Sequence, residues 1–213
     1  MSRTALGVVL VAAGYLSGSI PFGFVLTKLL LGVDVRTVGS GNIGGTNVAR
    51  AGGKKLGIAV VVLDAAKAIV PILVARAVLG GRFASVDGGP SRDLEAWVVA
   101  VAIAAFVGHV FPVWLRFRGG KGVATAFGIF VVLAPWAALA GIVAYGVAYV
   151  ATRLSSVGSL AGTAVTAATA FALYGPQRPV SWAGLVLALL IVLRHKDNIR
   201  RLLSGEEKRK MRV

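Results

Sequence analysis

The chain alternates long apolar stretches with short clusters rich in glycine, amides and cations. Seven apolar stretches cover about 4–31, 56–80, 95–115, 121–134, 136–152, 157–175 and 180–203. Stretches of this length and character are read as membrane-crossing helices, which need about 20 apolar residues to traverse a hydrocarbon core of about 30 Å. The pattern predicts an all-α integral membrane protein with about seven transmembrane helices. The first stretch would extend roughly 42 Å as one helix at 1.5 Å per residue, longer than the core. It must project past the hydrocarbon near Lys28, tilt, or kink at Pro21. The fourth and fifth stretches are short and meet at Pro135, so one long kinked span is the competing reading.

Composition agrees with the pattern. Of 213 residues, 57% are hydrophobic and only 15% charged, against about 25% in soluble domains. A soluble fold would need a larger core than a chain this size can enclose. The net charge of +15 would suggest nucleic acid in a soluble protein. Here the cations sit between apolar stretches and at the C-terminus, so no nucleic-acid partner is expected. They obey the positive-inside rule and suit anionic headgroups. With seven spans and the N-terminus outside, the inner loops and tail hold Arg36, Arg50, Lys54, Lys55, Arg116, Arg118, Lys121, Arg153 and eight cations from Arg194 onward. The outer segments hold Arg3, Arg82, Arg92 and Arg178. Merging only the fourth and fifth stretches would put the cationic tail outside. Merging the sixth and seventh as well would bury Pro176, Arg178 and Pro179 in one helix. Seven spans are preferred, with the C-terminus cytoplasmic. The polar, Gly-rich segment 81–93 becomes an outer connection, residues 1–203 a single transmembrane domain, and 204–213 a basic, solvated tail. Cysteine is absent, which excludes disulfides and thiolate metal sites. With only His109 and His195 and no metal-ligand spacing, neither metal nor cofactor is expected. The first stretch is too long for a signal peptide and lacks a small-x-small cleavage site.

Four polar segments carry the chemistry, all on the inner side of this topology. Gly18–Gly23 contains Ser19. Gly39–Arg50 reads GSGNIGGTNVAR. Its glycines (Gly39, Gly41, Gly44, Gly45) permit positive φ and close backbone approach. Successive N–H groups can then form an anion-binding nest. Ser40, Asn42, Thr46 and Asn47 add neutral donors, and Arg50 adds a planar fork suited to phosphate. A flexible Gly-rich linker is the bland alternative, but linkers are rarely so dense in Asn, Thr and Arg. The third segment runs from Gly108-His109 to Thr125. Gly119-Gly120-Lys121-Gly122 opens an apolar helix, where N-terminal amides favour an anion. It lacks Walker A spacing, and its cations also serve topology. The fourth segment contains His195 and Asn198, three apart and so on one helical face, able to hold a hydroxyl or phosphate oxygen or simply to form an interfacial polar pair. His109 is more often a structural partner than a base. Asp64 and Lys67 lie inside the second stretch at i,i+3 spacing, which favours a structural ion pair over direct chemistry.

Together these segments resemble the bacterial acyl-phosphate:glycerol-3-phosphate acyltransferase (PlsY) family over essentially the whole chain. The combination of GSGNxGxTNxxR with GHxxP and FxGGKGVAT is highly specific. Gly45 stands where alanine is more frequent. The resemblance implies a seven-helix fold with its active site on the cytoplasmic side of the bacterial inner membrane. It implies acyl transfer from acyl phosphate to the 1-hydroxyl of glycerol 3-phosphate, giving lysophosphatidic acid and phosphate for phospholipid synthesis. Carried onto matching positions, Ser40, Arg50, Lys121, His195 and Asn198 become catalytic residues. The glycines of the second segment become the phosphate cradle, with Asn42, Thr46, Asn47, Gly119, Gly120 and Gly122 binding the same groups. Ser19, Asp64, Lys67 and His109 support the site. A monomer in the bilayer is expected. No strong protein base is obvious, so the donor's phosphate and His195 compete for that role. The His-x4-Asp pattern of acyl-CoA-dependent enzymes is missing, since Trp114 and Arg200 occupy the acidic positions. The alternative from another class is a transporter for a phosphorylated solute. Transporter sites, however, usually lie at the midplane between repeats, whereas these cations gather on one face.

Overall fold

A computed structural model of the protein describes residues 2–80 and 91–207. Among the described residues all regular structure is helical. All seven apolar stretches are helical over most of their length, and the first and the last are each broken into two helices. The first stretch is two helices, α1 (Arg3–Ser19) and α2 (Phe22–Leu31). Ile20 is extended and Pro21 lies outside helical geometry, so of the three accommodations for excess length the chain uses the kink at proline.

α3 (Gly45–Gly80) starts earlier than the apolar pattern suggests and is interrupted at Gly52 and Gly53. Gly53 has φ +85°, a conformation that glycine adopts without steric penalty. The segment 45–51 therefore folds back on the long helix. A Cβ at Gly57 would lie 2.6 Å from Ala49 Cβ and 2.7 Å from the Gly45 carbonyl oxygen. The short arm was invisible as a helix because it exposes polar residues and buries only Gly45, Asn47 and Val48.

α4 (Arg92–Val110), α5 (Val123–Leu133), α6 (Pro135–Thr152), α7 (Ser155–Tyr174), α8 (Pro179–Arg194) and α9 (Lys196–Leu203) are the other α-helices among the described residues. Ala134, at φ −151°, separates α5 from α6. α8 and α9 meet at His195 with a 60° bend. Among the described residues, five runs are long and apolar enough to cross a membrane, Arg3–Leu31 among them, and six if α8 and α9 form one bent span. α5 has 11 residues, roughly 16 Å, and cannot cross a 30 Å core by itself. The expected outer connection 81–93 falls almost wholly outside the described residues. Of the tail expected to be solvated, Ser204, Gly205 and Glu206 are exposed, Glu207 is half-buried and bonded back onto the fold, and 208–213 lies outside the described residues.

The chain divides into two compact units, Met1–Val132 and Leu133–Val213. In the first, α1 packs on α4 and α3, and α2 on α3. Small residues set these distances: a Cβ at Gly14 would sit 2.9 Å from the Val101 carbonyl oxygen, and Gly18 lies against the Ala105 backbone. Close backbone approach of this kind drives helix association where lipid removes the hydrophobic incentive. In the second unit α7 packs on α6 and α8, with Gly162 against Gly141. The outward faces carry large apolar side chains such as Val61, Val62, Leu139, Val147 and Leu189, as a lipid-facing surface requires.

Candidate functional site

The first unit builds its polar loop from a buried apolar floor. Val35, Ile43, Val48 and Val60 form one cluster, which Leu115 joins from the connection after α4. The loop 32–44 and the loop 111–122 are thus fastened to a common core. Above it, a 3-10 turn spans Val35–Thr37, capped by Asp34, whose Oδ1 accepts from the Arg36 amide. Arg36 also forks onto the same carboxylate, with Nη2 2.7 Å from Oδ2. Those hydrogen bonds hold the Asp34 carboxyl down at about 2. The Arg36 guanidinium stacks 4.7 Å over the Phe24 ring.

Beyond the turn, Gly39 (φ +55°) and Gly41 (φ +68°) take the left-handed conformation that an L side chain would strain. Asn47 fixes this course. Its Oδ1 accepts from the Ser40 amide at 2.9 Å, and its Nδ2 donates to the carbonyls of Val35 (3.0 Å), Val38 (2.9 Å) and Asn42 (2.9 Å). The side chain is 2% exposed. Asn47 was expected to offer its amide to a phosphate. Instead the amide is committed to the loop's own backbone and shapes the cradle. The Asn42 Oδ1 accepts from Gly44 N–H at 2.8 Å, so that amide too is turned inward. Ser40 and Arg50 are exposed, and Asn42 and Thr46 half-buried. Arg50 ends the short arm of α3 and runs back along Gly39, where a Cβ would lie 3.4 Å from Arg50 Cδ.

The loop 111–122 closes on the end of α4. Arg116 (φ 52°) and Phe117 (φ 61°) turn it. Gly119 then donates to the Val110 carbonyl and Gly120 to the His109 carbonyl, each at 3.1 Å. These two amides had been expected to bind phosphate. They satisfy carbonyls that a helix end leaves open, so the glycine pair closes the loop. Gly120 lies directly against the His109 imidazole, and Gly122 (φ +87°) against the Phe106 ring. Lys121 is half-buried between them.

Beneath both loops lies a buried polar network. Lys67 Nζ is 2.8 Å from Asp64 Oδ1, with both side chains almost inaccessible, so the i,i+3 ion pair forms. Nζ also donates to the Ile20 carbonyl at 2.8 Å. Pro21 breaks the helix there, and the lysine ammonium caps a carbonyl at that break. The Ser17 hydroxyl donates back to the Lys67 carbonyl. His109 Nδ1 is 3.5 Å from Asp64 Oδ1, inside the core rather than at the loop surface. Ser19 is fully buried, packed where α1 meets Gly108 of α4.

In the second unit, His195 and Asn198 occupy the corner between α8 and α9 and are 2% and 7% exposed. His195 Nδ1 lies 2.8 Å from the Ile191 carbonyl. A carbonyl only accepts, so Nδ1 carries a proton, and in the neutral form of the ring the lone pair is on Nε2. Asn198 Nδ2 donates to Glu207 Oε1 at 2.6 Å. The same oxygen accepts from Ser156 Oγ at 2.8 Å, and Oε2 from Arg201 Nε at 2.7 Å. Burial raises the Glu207 pKa, but the three donors outweigh it and hold the group below the ordinary glutamate range. The structure therefore brings Ser40, Arg50, the cradle glycines and Lys121 into one unit, and His195 with Asn198 into the other. Ser156, Arg201 and Glu207 were missed. Glu207 follows Asn198 by nine positions, across a reversal at Gly205 (φ +74°), so no helical spacing reveals the contact. Among the described residues no group of three or more His, Asp or Glu could hold a metal ion.

Residues 8–205 match the family model described as glycerol-3-phosphate acyltransferase. The chain is 71% identical over 209 residues to the glycerol-3-phosphate acyltransferase of Anaeromyxobacter dehalogenans (strain 2CP-1 / ATCC BAA-258), covering 98% of this chain and all of that one. It is 48% identical to that of Myxococcus xanthus (strain DK1622), over 94% of this chain and 97% of the relative. The fold matches a crystal structure of PlsY, an integral membrane glycerol 3-phosphate acyltransferase, in its glycerol 3-phosphate form. The TM-score is 0.84, with 38% identity over 96% of each chain. The lysophosphatidic acid form of that protein matches with a TM-score of 0.82 and 37% identity, over 96% of this chain and 95% of that one.

Proposed function

Because this chain belongs to the glycerol-3-phosphate acyltransferase family, we propose that it acylates glycerol 3-phosphate from an acyl-phosphate donor. The reaction joins the donor's acyl carbon to the 1-hydroxyl oxygen and breaks the acyl–phosphate bond. The hydroxyl proton leaves with the departing phosphate, and the products are lysophosphatidic acid and inorganic phosphate. The protein is a multi-pass membrane protein. We assign its site to the cytoplasmic side of the bacterial inner membrane, with seven crossings and the N-terminus outside. That topology has α5 crossing together with the residues that flank it.

The observation that carries this reading is the loop 39–47, whose positive-φ glycines are held by a buried asparagine while Ser40 and Arg50 stay exposed beside them. A loop fixed in advance and flanked by an arginine fork suits a phosphate dianion without reorganisation. Acyl phosphate is already activated, so positioning and charge stabilisation supply most of what the step needs. Ser40, Arg50 and Lys121 are read as contacts to the substrate phosphates, and Asn198 as a contact to the acceptor. His195 is the rival to the donor phosphate as base, through Nε2. Gly39 and Gly41 shape the cradle, and Asp64, Lys67, His109 and Ser19 hold the helices beneath it. The enzyme is read as working as a monomer without cofactor.

The test is purified protein in detergent with glycerol 3-phosphate and either acyl phosphate or acyl-CoA. Phosphate release and lysophosphatidic acid are expected from the first donor and little product from the second. Comparable turnover from both donors would overturn the donor assignment.

A further inference from the structure

We propose that Glu207, in the C-terminal tail, is a positioning residue that holds the Asn198 amide in one orientation for the reaction. The proposal rests on the reading of Asn198 as a site residue. Glu207 lies four residues past the end of α9, beside exposed neighbours: Ser204, Gly205 and Glu206 are all open, whereas Glu207 is half-buried. The chain reverses at Gly205, and the amides of Glu206 and Glu207 both donate to the Arg201 carbonyl, at 2.8 and 3.0 Å. That reversal directs the carboxylate inward to three donors from two helices. Two of them, Asn198 and Ser156, are neutral and less than a tenth exposed.

A surface carboxylate seeking charge would need only Arg201. Oε1 instead accepts from Asn198 and Ser156 together, and at 2.6 Å the Asn198 contact has the shortness of a charge-assisted bond. A carboxylate is acceptor-only, so it selects between the two flips of the amide: nitrogen toward the tail, oxygen away. Without it the amide loses a charged acceptor that favours one of its two flips. Ser156 and Arg201 in turn fix the carboxylate, one from α7 and one from α9. The tail residue is thereby part of the site's support.

The experiment is a double-mutant cycle on the full-length protein in detergent, measuring kcat and KM for glycerol 3-phosphate with acyl phosphate as donor. Asn198→Ala, Glu207→Ala, the double variant and Glu207→Gln are compared, at enzyme concentrations that keep slow variants readable. Glu207→Ala is expected to lower kcat/KM by roughly ten- to a hundredfold, the range for a hydrogen bond to a charged group. Glu207→Gln retains an acceptor oxygen for Asn198 and should recover part of that loss. In the Asn198→Ala background, Glu207→Ala should lower kcat/KM by no more than about twofold further, because residues acting through one contact are not additive. Wild-type kcat/KM in Glu207→Ala, or full multiplication of the two effects in the double variant, overturns the proposal. A wild-type Asn198→Ala shows instead that the assignment of Asn198 to the site has failed, and that single variant reports it independently of the tail. If Glu207→Ala loses its monodisperse size-exclusion profile, the same cycle run with Glu207→Gln decides the question.

Discussion

Arg50 and Arg36 are both arginines of the first polar loop, and their surroundings differ completely. Arg36 is neutralised by Asp34 and stacked on Phe24, so it holds the loop and has little left for an anion. Arg50 runs along the cradle glycine Gly39. The difference makes Arg50 the stronger candidate for a bidentate phosphate contact. Lysine would keep the charge and lose the fork. Arg50→Lys is therefore expected to be severely impaired in kcat/KM for glycerol 3-phosphate, and Arg50→Ala more so, by about ten- to a hundredfold for a contact to a charged group. A fully active Arg50→Lys would show that Arg50 only obeys the positive-inside rule. At this scale the sequence marked residues by type and spacing and did not show where their hydrogen bonds point. Asn47 and Gly120 stood out by type and spacing. Their hydrogen bonds turn inward to carbonyls, a direction that depends on the path of the backbone and has no signature in composition.

The elements were legible where a single physical rule fixed them. Pro21 forced the break in the first stretch, and Pro135 with Ala134 separated α5 from α6. The short arm 45–51 was not legible, because its helix owes its form to packing of Gly45 and Ala49 on Gly57 rather than to apolar periodicity. The reversal after α9 was missed for a similar reason, since a polar tail gives no hydrophobic pattern to read. The loop 111–122 offers a direct test at this scale. Gly120 contacts the His109 ring so closely that a methyl group has no room, and the loop's closure on α4 depends on that approach. Gly120→Ala should lower the thermal midpoint in detergent, since overpacking typically costs about 1–3 kcal/mol of stability. An unchanged midpoint would mean that loop and helix separate easily.

Across the whole molecule, the apolar pattern carried the helical architecture: all seven stretches are helical. Among the described residues five or six runs are long and apolar enough to cross, because α5 is short and α9 is bent away from α8, so the number of crossings rests on charge. That reading has loop 33–55 and the tail on the cytoplasmic side and loop 81–93 outside. The chain contains no cysteine, so single cysteines can be introduced at Ser204 and Ser85 and probed with an impermeant reagent in intact cells. Labelling at residue 85 and not at 204 is expected, and the reverse result would sink the topology.

The Asp64–Lys67 pair also bears on how the protein is made. α3 must enter the bilayer with two ionisable residues well inside it, and each alone costs about 2.5–3.5 kcal/mol at the centre of an inserting helix. At i,i+3 the two neutralise each other on the helix itself, before α1 or α4 is in place. The Ile20 carbonyl and His109 join only once the helices assemble. The segment thus carries its own counter-ion through the insertion machinery. Asp64→Asn leaves Lys67 to enter alone, and should lower the inserted fraction of this segment in a glycosylation-mapped translocation assay. Asp64→Asn combined with Lys67→Met should restore it. Equal insertion of all three forms would show that the pair matters only after assembly.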